Sequence, residues 1–268
     1  MDLHAHTLYS DGELTPAALA RLGNEAGLSA FALTDHDTVA GFPEFARAAE
    51  RFEPVCGVEV SSRHEGADVH ILGLFVDPED SQFADRLQGL ENKRKDRARS
   101  MIERLAEHGV SLSWEAVVRH AGTGTVGRPH VAKALVEAGA VTSFDAAFRK
   151  YLRPGCVAYV ESPGPEPAEA IRWIHEAGGV AVLAHPGLLR RQEWIELLAE
   201  AGLDGLEVWH PRHDAGTREA LLRLAGRLDL VPSGGSDYHG PGVGDAVVGQ
   251  EPVPALFLER LRDRRPHA

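Results

Sequence analysis

Histidine and acidic side chains recur along the sequence at positions where they could bind metal ions. The chain contains 14 histidines, and several of them, like several acidic residues, directly follow short apolar segments. The candidate ligands of this kind are His4, His6, Asp11, His36, Glu59, His70, His185, Asp237 and His239. Imidazole and carboxylate ligands without thiolates suit Mn, Fe or Zn better than Mg or Ca. The set is too large for one ion, so we expect two to three divalent ions, with Glu59 bridging two of them.

The candidate ligands are expected to meet because predicted strands deliver them. Apolar segments indicate strands at 1–6, 29–34, 54–60, 68–76, 179–184, 204–209 and 230–235. A polar turn and a helical pattern follow these segments, which is typical of parallel βαβ units and therefore of an α/β sheet or barrel. In barrels, chemistry takes place at the carboxyl ends of the strands. His4 and His6 are two residues apart and so face the same side of their strand.

Residues 80–155 interrupt this alternation, because they carry amphipathic helical patterns and no convincing strand pattern. We expect residues 1–79 and 156–268 to form the barrel, and residues 80–155 to form an inserted helical cap subdomain. The stretch ESPGPEP at 161–167, rich in proline and glycine, indicates the return to the barrel.

The remaining histidines are interpreted as ordinary surface or core residues, since an isolated histidine is seldom a ligand. They are His64, His108, His120, His175, His213 and His267. Turn formation and helix capping would each be a sufficient role for Asp11, Asp35 or Asp37 taken alone. Neither role accounts for the whole set of candidate ligands at strand ends, so the set is interpreted as a metal cluster.

Length, charge and cysteine content restrict the class of protein. A chain of 268 residues can form one large barrel-like domain or two modest ones. Its formal net charge of −12 argues against binding long nucleic acid, which requires many Lys and Arg side chains on phosphates. Apolar runs are too short to cross a membrane, and the start MDLHAH lacks the features of a signal peptide. Cys56 and Cys156 form no disulfide framework, so a cytoplasmic location is predicted.

The charge of the candidate cluster favours a phosphate substrate. Three divalent ions would bring six positive charges, whereas Asp11, Glu59 and Asp237 supply three negative ones. The remaining positive charge suits a hydroxide together with a phosphate dianion. An amide substrate would not need this positive charge. A small anionic substrate is therefore expected at a locally positive site, despite the acidic chain.

Six ordered motifs resemble those of a known family. They are DLHAHTLYSDG (2–12), LTDHDT (33–38), GVEVS (57–61), HILG (70–73), AHP (184–186) and GSDYH (235–239). Together they look like the successive motifs of the PHP (polymerase and histidinol phosphatase) family. Within the insertion, GRPHVAKAL (127–135) resembles the branch of 3′,5′-nucleoside bisphosphate phosphatases and short-oligonucleotide 5′-exonucleases.

This resemblance implies a distorted (β/α)7 TIM-like barrel that holds up to three metal ions. The implied ligand sets are His4, His6, Glu59 and Asp237 for the first ion, Glu59, His70 and His185 for the second, and Asp11, His36 and His239 for the third. Each ligand position of the family that can be matched in this sequence has a residue able to bind metal, which argues against a non-catalytic relative. Asp2 and Asp35 are expected to orient the ligating imidazoles.

Three further residues are candidates for substrate binding and catalysis. Arg128 and His130, in GRPH, are predicted to bind phosphate, since the planar fork of a guanidinium fits that group. His210, after the segment LEVW, is predicted to contact substrate or to protonate the leaving oxygen. Arg190 and Arg191 are interpreted instead as part of a solvated helix face.

The run KRKDRAR at 93–99 is also interpreted as a solvated helix face. Acidic residues are interleaved with its basic residues, as on exposed helices that carry ion pairs within one helix. The run is therefore not predicted to bind nucleic acid.

The expected reaction is removal of the 3′-phosphate from a nucleoside 3′,5′-bisphosphate, which leaves the 5′-monophosphate and free phosphate. The nearest alternative is a 5′-to-3′ exonuclease on very short oligonucleotides, and a histidinol-phosphate phosphatase is the next. An amidohydrolase would be a different chemistry, and a metal-binding module that serves a polymerase would be a different class. The expected partner is a small nucleotide, with neither long nucleic acid nor a membrane.

Overall fold

The computed structural model describes residues 1–122, 124–162, 164–189 and 191–266, so the predictions for Arg190 and His267 fall outside the described residues. Six strands form one curled sheet in chain order. They are β1 (Ala30–Leu33), β2 (Glu53–His64), β3 (Ala67–Leu74), β4 (Val180–Leu183), β5 (Gly205–Trp209) and β6 (Val231–Gly234). The α-helices are α1 (Pro16–Glu25), α2 (Phe42–Ala48), α3 (Ser81–Glu107), α4 (Trp114–Ala121), α5 (Arg128–Glu137), α6 (Phe144–Ala147), α7 (Pro167–Glu176), α8 (Glu193–Glu200), α9 (Ala215–Arg227) and α10 (Leu256–Arg262).

The direction of β3 differs from the prediction. β1 and β2 are parallel, as are β4, β5 and β6, but β3 is antiparallel to both β2 and β4. The expectation of parallel βαβ units throughout is therefore wrong at this strand. The cause is local, since only Glu65 and Gly66 separate β2 from β3, with φ angles of 44° and 80°. A two-residue turn with positive φ at both positions closes a hairpin, whose strands are necessarily antiparallel.

The hairpin also places candidate ligands next to each other. β2 continues to His64, beyond its predicted end at residue 60, so Glu59 lies within the strand and not at its end. In the register of the hairpin, Ser61 is opposite His70. Residues two apart on a strand face the same side, so Glu59 and His70 share one face of the sheet.

Segment 1–6 forms isolated bridges and not the regular strand that was predicted. Asp2 pairs with Phe31 of β1, and Ala5 pairs with Tyr238, just beyond β6. The backbone N–H of Leu3 donates to the carbonyl of Gly234 at 3.1 Å. The segment therefore contacts both edge strands of the curled sheet.

Buried apolar side chains form four clusters, of which the main core lies on the sheet and a second core lies among the helices of residues 80–155. The main core includes Val58, Ile71 and Leu183 and also Phe83 and Leu87 from the start of α3. The second core includes Met101, Leu105, Val117, Leu135 and Leu152. Helix α3 has 27 residues and is about 40 Å long, so it starts on the main core and ends in the second. Within residues 80–155, the described residues form helices, turns and loops and contain no strand.

None of the helices in the described ranges is both long enough and apolar enough to cross a membrane.

The close approach of segment 1–6 to the loop after β6 gives a stability prediction. A Cβ atom on Gly235 would lie 2.4 Å from the backbone nitrogen of His4, so Gly235→Ala must push the two segments apart. We expect a loss of about 1–3 kcal/mol in the free energy of unfolding, as for other overpacked sites. Gly226 in α9 is the control, since a Cβ there meets nothing within 4 Å. Gly226→Ala should leave stability unchanged or raise it by up to about 1 kcal/mol. Urea titration measures both values, and equal stabilities would contradict the close approach.

Candidate metal centre and adjoining pocket

The structure brings the predicted ligands together at one end of the sheet. Segment 1–6 and the loops after β1, β4 and β6 each contribute side chains, and the β2–β3 hairpin supplies Glu59 and His70. The residues that meet are His4, His6, Asp11, His36, Glu59, His70, His185, Asp237 and His239.

His4 and His6 converge with two carboxylates. His4 Nε2 lies 3.1 Å from His6 Nε2 and 3.3 Å from both Glu59 Oε2 and Asp237 Oδ1. His4 Nδ1 contacts Glu207 Oε1 at 2.9 Å, so the imidazole proton is held there and Nε2 presents a lone pair to the group. Lone pairs this close repel unless a proton or a cation lies among them. The donor set fits one divalent ion.

Glu59 also faces a second group with its other oxygen. Glu59 Oε1 lies 2.7 Å from His70 Nδ1 and 3.0 Å from His185 Nε2. His36, Glu59 and His70 have ligand atoms close enough to share an ion, and His185 contacts the same carboxylate. One oxygen of Glu59 therefore faces His4, His6 and His36 and the other faces His70 and His185, which suits a bridging carboxylate.

A third group surrounds Asp11. It combines His6, Asp11, His36 and His239, with Asp11 Oδ1 at 3.3 Å from His239 Nε2 and Asp11 Oδ2 at 3.8 Å from His36 Nε2. Asp11 Oδ1 is buried and accepts no hydrogen bond from the described residues. Buried polar atoms normally have a partner, so an unsatisfied carboxylate oxygen among imidazoles also fits a metal ion.

The imidazoles keep the carboxylates of the cluster ionised. Burial alone would raise the pKa of Glu59, but His36, His70 and His4 hold this pKa well below its usual range. Burial likewise opposes charge on His239, yet Asp11 and Asp237 raise its pKa to about 10. The carboxylates of the cluster therefore stay ionised, as metal ligands must be.

Three residues in or beside the cluster have an unfavourable backbone conformation. Asp37, His185 and Asp237 have φ angles of 55°, 33° and 50°, in the left-handed region. Residues other than glycine seldom adopt this region, and such strain is concentrated at functional sites. Here it accompanies the sharp turns that direct side chains from strand ends into the cluster.

Glu207 is a functional candidate that the sequence analysis missed. It is fully buried on β5, where Oε1 contacts His4 Nδ1 at 2.9 Å and Oε2 accepts the backbone N–H of His185 at 2.6 Å. One carboxylate thus fixes the tautomer of His4 and the backbone position of His185. An acidic residue inside the apolar segment LEVW was the available signal.

Asp2 and Asp35 do not orient imidazoles directly, which corrects the prediction. Asp2 accepts the backbone N–H groups of Ser236 and Gly249, each at 2.9 Å. Asp35 accepts hydrogen bonds from Thr7 and Ser10, and Ser10 Oγ lies 3.5 Å from His6 Nδ1. Both aspartates therefore fasten the loops that carry the ligands.

The interpretation of residues 93–99 as a solvated face is wrong for two of its arginines. Only 12% of the Arg94 side chain is exposed, and Arg97 is 8% exposed. Arg94 bonds to Asp37 and to Ser61 Oγ, and Arg97 Nε donates to the carbonyl of Val160 at 2.9 Å. Positions 94 and 97 are three apart on α3 and therefore lie on one helix face, which is turned toward the cluster.

A cavity of about 100 Å³ separates these arginines from the candidate ligands. Its lining includes Asp11, His36 and His70 as well as Arg94, Arg97 and Arg128. Arg128 opens α5 and its Nη2 bonds to Asp68 Oδ2 on β3 at 2.8 Å. The cavity is thus lined by guanidinium groups and by candidate metal ligands.

His130 and His210 are both buried near this region. His130 Nδ1 accepts the N–H of Gly127 at 2.9 Å, and burial lowers the pKa of His130 to about 4, so the ring is neutral with its proton on Nε2. His210 Nδ1 accepts the N–H of Arg212 at 3.1 Å, so its Nε2 proton points to Asp237 Oδ2 at 3.3 Å. The structure brings His210 to the cluster through Asp237. The roles of both histidines with substrate stay predictions.

Arg191 and the histidines interpreted as ordinary lie outside the cluster of candidate ligands. Arg191 is exposed and pairs with Glu65 at 2.8 Å. Among the described residues, the histidines interpreted as ordinary belong to no converging ligand group, and each contacts another partner. They are His64, His108, His120, His175 and His213.

The fold and site define an α/β protein with a cluster of His, Asp and Glu able to bind metal. A family model described as PHP domain matches residues 2–83. The chain is 36% identical over 268 residues to a 3′,5′-nucleoside bisphosphate phosphatase of Chromobacterium violaceum, covering 96% of this chain and 93% of the relative. The chain belongs to the PHP domain family, which confirms the resemblance seen in the six motifs.

One further relative and one solved structure that resemble the chain are named for different functions. The chain is 36% identical over 249 residues to the 5′-3′ exoribonuclease Rnm of Salmonella typhimurium, covering 90% of this chain and 85% of the relative. A solved structure of an amidohydrolase from Chromobacterium violaceum, with bound sulfate and no metal, matches with a TM-score of 0.89 and 35% identity. That match covers 99% of this chain and 98% of the other.

The first prediction from this site concerns metal content. The purified protein should contain two to three transition-metal ions per chain by elemental analysis, because three groups of ligand atoms converge. His70→Ala and His185→Ala should each reduce the content, since both residues contact Glu59. His175→Ala, at a histidine outside the cluster, is the control and should retain all ions. A fully active wild type with one ion or none would refute the multi-metal cluster.

The second prediction concerns Glu207. Glu207→Gln keeps the shape of the side chain but removes the charge that holds the His4 proton, so metal affinity should fall by about 10- to 100-fold. Glu219→Gln on α9 is the matched control, because that side chain is 72% exposed and pairs with the exposed Arg223. Competition with a chelator measures both affinities. Equal affinities in wild type and Glu207→Gln would show that Glu207 does not support the ligands.

Proposed function

We propose that this chain is a metal-dependent phosphoesterase that removes the 3′-phosphate from nucleoside 3′,5′-bisphosphates, leaving the 5′-monophosphate and inorganic phosphate. The observation that carries the proposal is the cavity lined by candidate metal ligands and by Arg94, Arg97 and Arg128. A relative named 3′,5′-nucleoside bisphosphate phosphatase supports the choice of substrate.

The electrostatics of this site favour a phosphate over a neutral substrate. Arginine binds phosphate through parallel charge-assisted hydrogen bonds, which are stronger than bonds between neutral groups. The formal charge of the whole chain is −12, so positive charge at this one place is local and specific. An amide substrate would offer these arginines no anionic group to bind. The solved amidohydrolase structure contains sulfate, which resembles phosphate in shape and charge.

The roles of the chain's own residues follow from their positions. We propose that His4, His6, Glu59 and Asp237 hold one ion, Glu59, His70 and His185 a second, and Asp11, His36 and His239 a third. When bound, such ions supply an activated water nucleophile and offset the negative charge of phosphate. Arg128 would add positive charge opposite the ligands, and the Nε2 proton of His210 is the candidate for the leaving oxygen. His130 offers a neutral donor at the start of α5.

A 5′-to-3′ exonuclease acting on short oligonucleotides is the second candidate, and one structural feature favours it. A wider cavity of about 500 Å³ shares Asp68 and Arg128 with the inner cavity, and Tyr159 and Trp194 also line it. Aromatic side chains can stack on bases, so this space could accept a second nucleotide. A relative named exoribonuclease Rnm fits this alternative.

In the proposed function, two parts of the chain have different roles. We propose that residues 80–155 form a cap that covers the site and selects substrate, while residues 1–79 and 156–268 form the barrel that binds metal. We also propose that segment 1–6 serves as the seventh strand of a distorted (β/α)7 barrel, because it hydrogen-bonds near both sheet edges. The position of Arg94 and Arg97 on α3 supports a role for the inserted helices in substrate binding.

A substrate panel tests the proposed function. The metal-loaded protein should release phosphate from a nucleoside 3′,5′-bisphosphate with higher kcat/KM than from a nucleoside 3′-monophosphate, because only the bisphosphate has a second group for the arginines. The panel should include a 5′-phosphorylated trinucleotide, histidinol phosphate and an amide. His4→Ala is the inactive control for a contaminating phosphatase. Faster turnover of the trinucleotide would favour the exonuclease, and turnover of the amide alone would refute a phosphoesterase.

A further inference from the structure

The turn after β4 holds His185 in a strained backbone conformation. His185 has a φ angle of 33°, and the residues that follow it, Pro186–Leu188, form one turn of 3₁₀ helix. A residue other than glycine keeps such a conformation only when the surrounding structure holds it there. The contacts of this turn therefore decide where the imidazole of His185 lies.

Two side chains from the region of β5 hold the turn. Glu207 Oε2 accepts the backbone N–H of His185 at 2.6 Å. His213 Nε2 accepts the backbone N–H of Gly187, two residues further along, at 3.1 Å. Glu207 lies on β5 and His213 lies in the loop between β5 and α9, so this part of the chain sets the position of the turn.

The ring of His213 is buried and makes a hydrogen bond on each side. It is 2% exposed, and its Nδ1 contacts the carbonyl of Val208 on β5 at 2.9 Å. A carbonyl oxygen only accepts, so the proton of a neutral ring lies on Nδ1 and the lone pair of Nε2 faces Gly187. Burial lowers the pKa of His213, which favours the neutral ring. The ring therefore ties Gly187 to the backbone of β5.

Close packing accompanies this hydrogen bond. A Cβ atom on Gly187 would lie 2.6 Å from His213 Cδ2 and 2.7 Å from His213 Nε2, so the turn lies directly against the ring. His185 Nε2 is 3.0 Å from Glu59 Oε1. A displacement of the turn would therefore move the imidazole of His185 relative to that carboxylate.

We propose that His213 is a positioning residue, which fixes His185 and thereby supports the binding of one metal ion. The ion concerned is the one assigned above to Glu59, His70 and His185, so this inference rests on that part of the proposed function. Without an acceptor at position 213, the turn loses a contact that offsets its strain. The affinity for this ion should then fall, whereas the ions assigned to the other ligand sets should bind as before.

The test compares three substitutions of His213 by calorimetric titration of the metal-free protein with Mn²⁺. His213→Phe keeps a ring but removes both hydrogen bonds, so one ion should bind about tenfold more weakly, the low end for partners that orient ligands. His213→Gln places an amide oxygen near the position of Nε2 and should stay within about threefold of wild type. His213→Asn is too short to reach Gly187 and should lose as much affinity as His213→Phe.

Two results of this comparison would overturn the proposal. Equal Mn²⁺ affinities in wild type and His213→Phe would show that His213 does not support the ion. An equal loss in His213→Gln and His213→Phe would show that the hydrogen bond to Gly187 is not the cause. Thermal denaturation of the metal-free variants detects folding defects. If His213→Phe does not fold, the Gln and Asn variants carry the comparison, because they differ by one methylene group.

A double substitution assigns the effect to His185. His185→Ala should itself weaken one ion, and adding His213→Phe to it should cause no further loss, because the positioned side chain is gone. A further loss would overturn the proposal, since His213 would then act elsewhere, as through the ring of His210 with its centroid 5.1 Å away. Unchanged Mn²⁺ binding in His185→Ala would overturn it as well. His175→Phe is the matched control, because His175 contacts Asp204 outside the cluster, and it should bind Mn²⁺ like wild type.

The metal titration separates this inference from the proposed reaction. If wild type hydrolyses no bisphosphate but the variants show the expected differences in Mn²⁺ affinity, the proposed reaction fails and the role of His213 stands. If wild type releases phosphate but His213→Phe binds Mn²⁺ equally well, the reaction stands and the role of His213 is overturned.

Discussion

Buried imidazoles and carboxylates that face one another this closely require protons or cations among them, and the arrangement of this site depends on that requirement. Glu59 is the centre of the constraint, because one of its oxygens faces His4 and His6 while the other faces His70 and His185. A buried carboxylate in such surroundings is costly unless positive charge compensates it. Metal binding and stability should therefore be coupled, since the ion relieves repulsion that the folded chain otherwise contains.

Local backbone conformations around the cluster bring the candidate ligands together. The two-residue turn at Glu65 and Gly66 returns β3 alongside β2, which brings His70 to Glu59. The left-handed residues His185 and Asp237 turn the chain sharply at the ends of β4 and β6. Such conformations are unfavourable alone, and the packing around them must hold them in place. Part of the stability of the fold is therefore lost to these conformations, which position the ligand atoms.

Helix α3 connects the metal cluster with the inserted helices. Its first turns pack on the main core through Phe83 and Leu87, and its last turns belong to the second core through Met101. Arg94 and Arg97 lie between these anchors and line the cavity beside the candidate ligands. Because both ends of the helix are buried in separate cores, the two guanidinium groups have fixed positions. This rigidity keeps both groups at a set distance from the candidate ligands.

The convergence of the candidate ligands could be predicted from the sequence because these residues occur in short motifs, several of which follow strands. The direction of β3 could not, since the apolar pattern of 68–76 is the same for a parallel and an antiparallel strand. The burial of Arg94 and Arg97 was also missed, because acidic residues interleave with them and only the packing of α3 shows which face is inside. Glu207 differs from its apolar neighbours in LEVW, but its contact with His4 joins residues 203 positions apart. Such long-range contacts depend on the curvature of the sheet.

We expect this cluster to bind more than one metal ion around Glu59. Anomalous X-ray scattering from a crystal of the wild-type protein loaded with Mn²⁺ locates such ions. Two or three anomalous peaks should lie among the convergent ligands, with two of them on opposite oxygens of Glu59. A single peak, or peaks that avoid Glu59, would show that Glu59 does not join two metal ions.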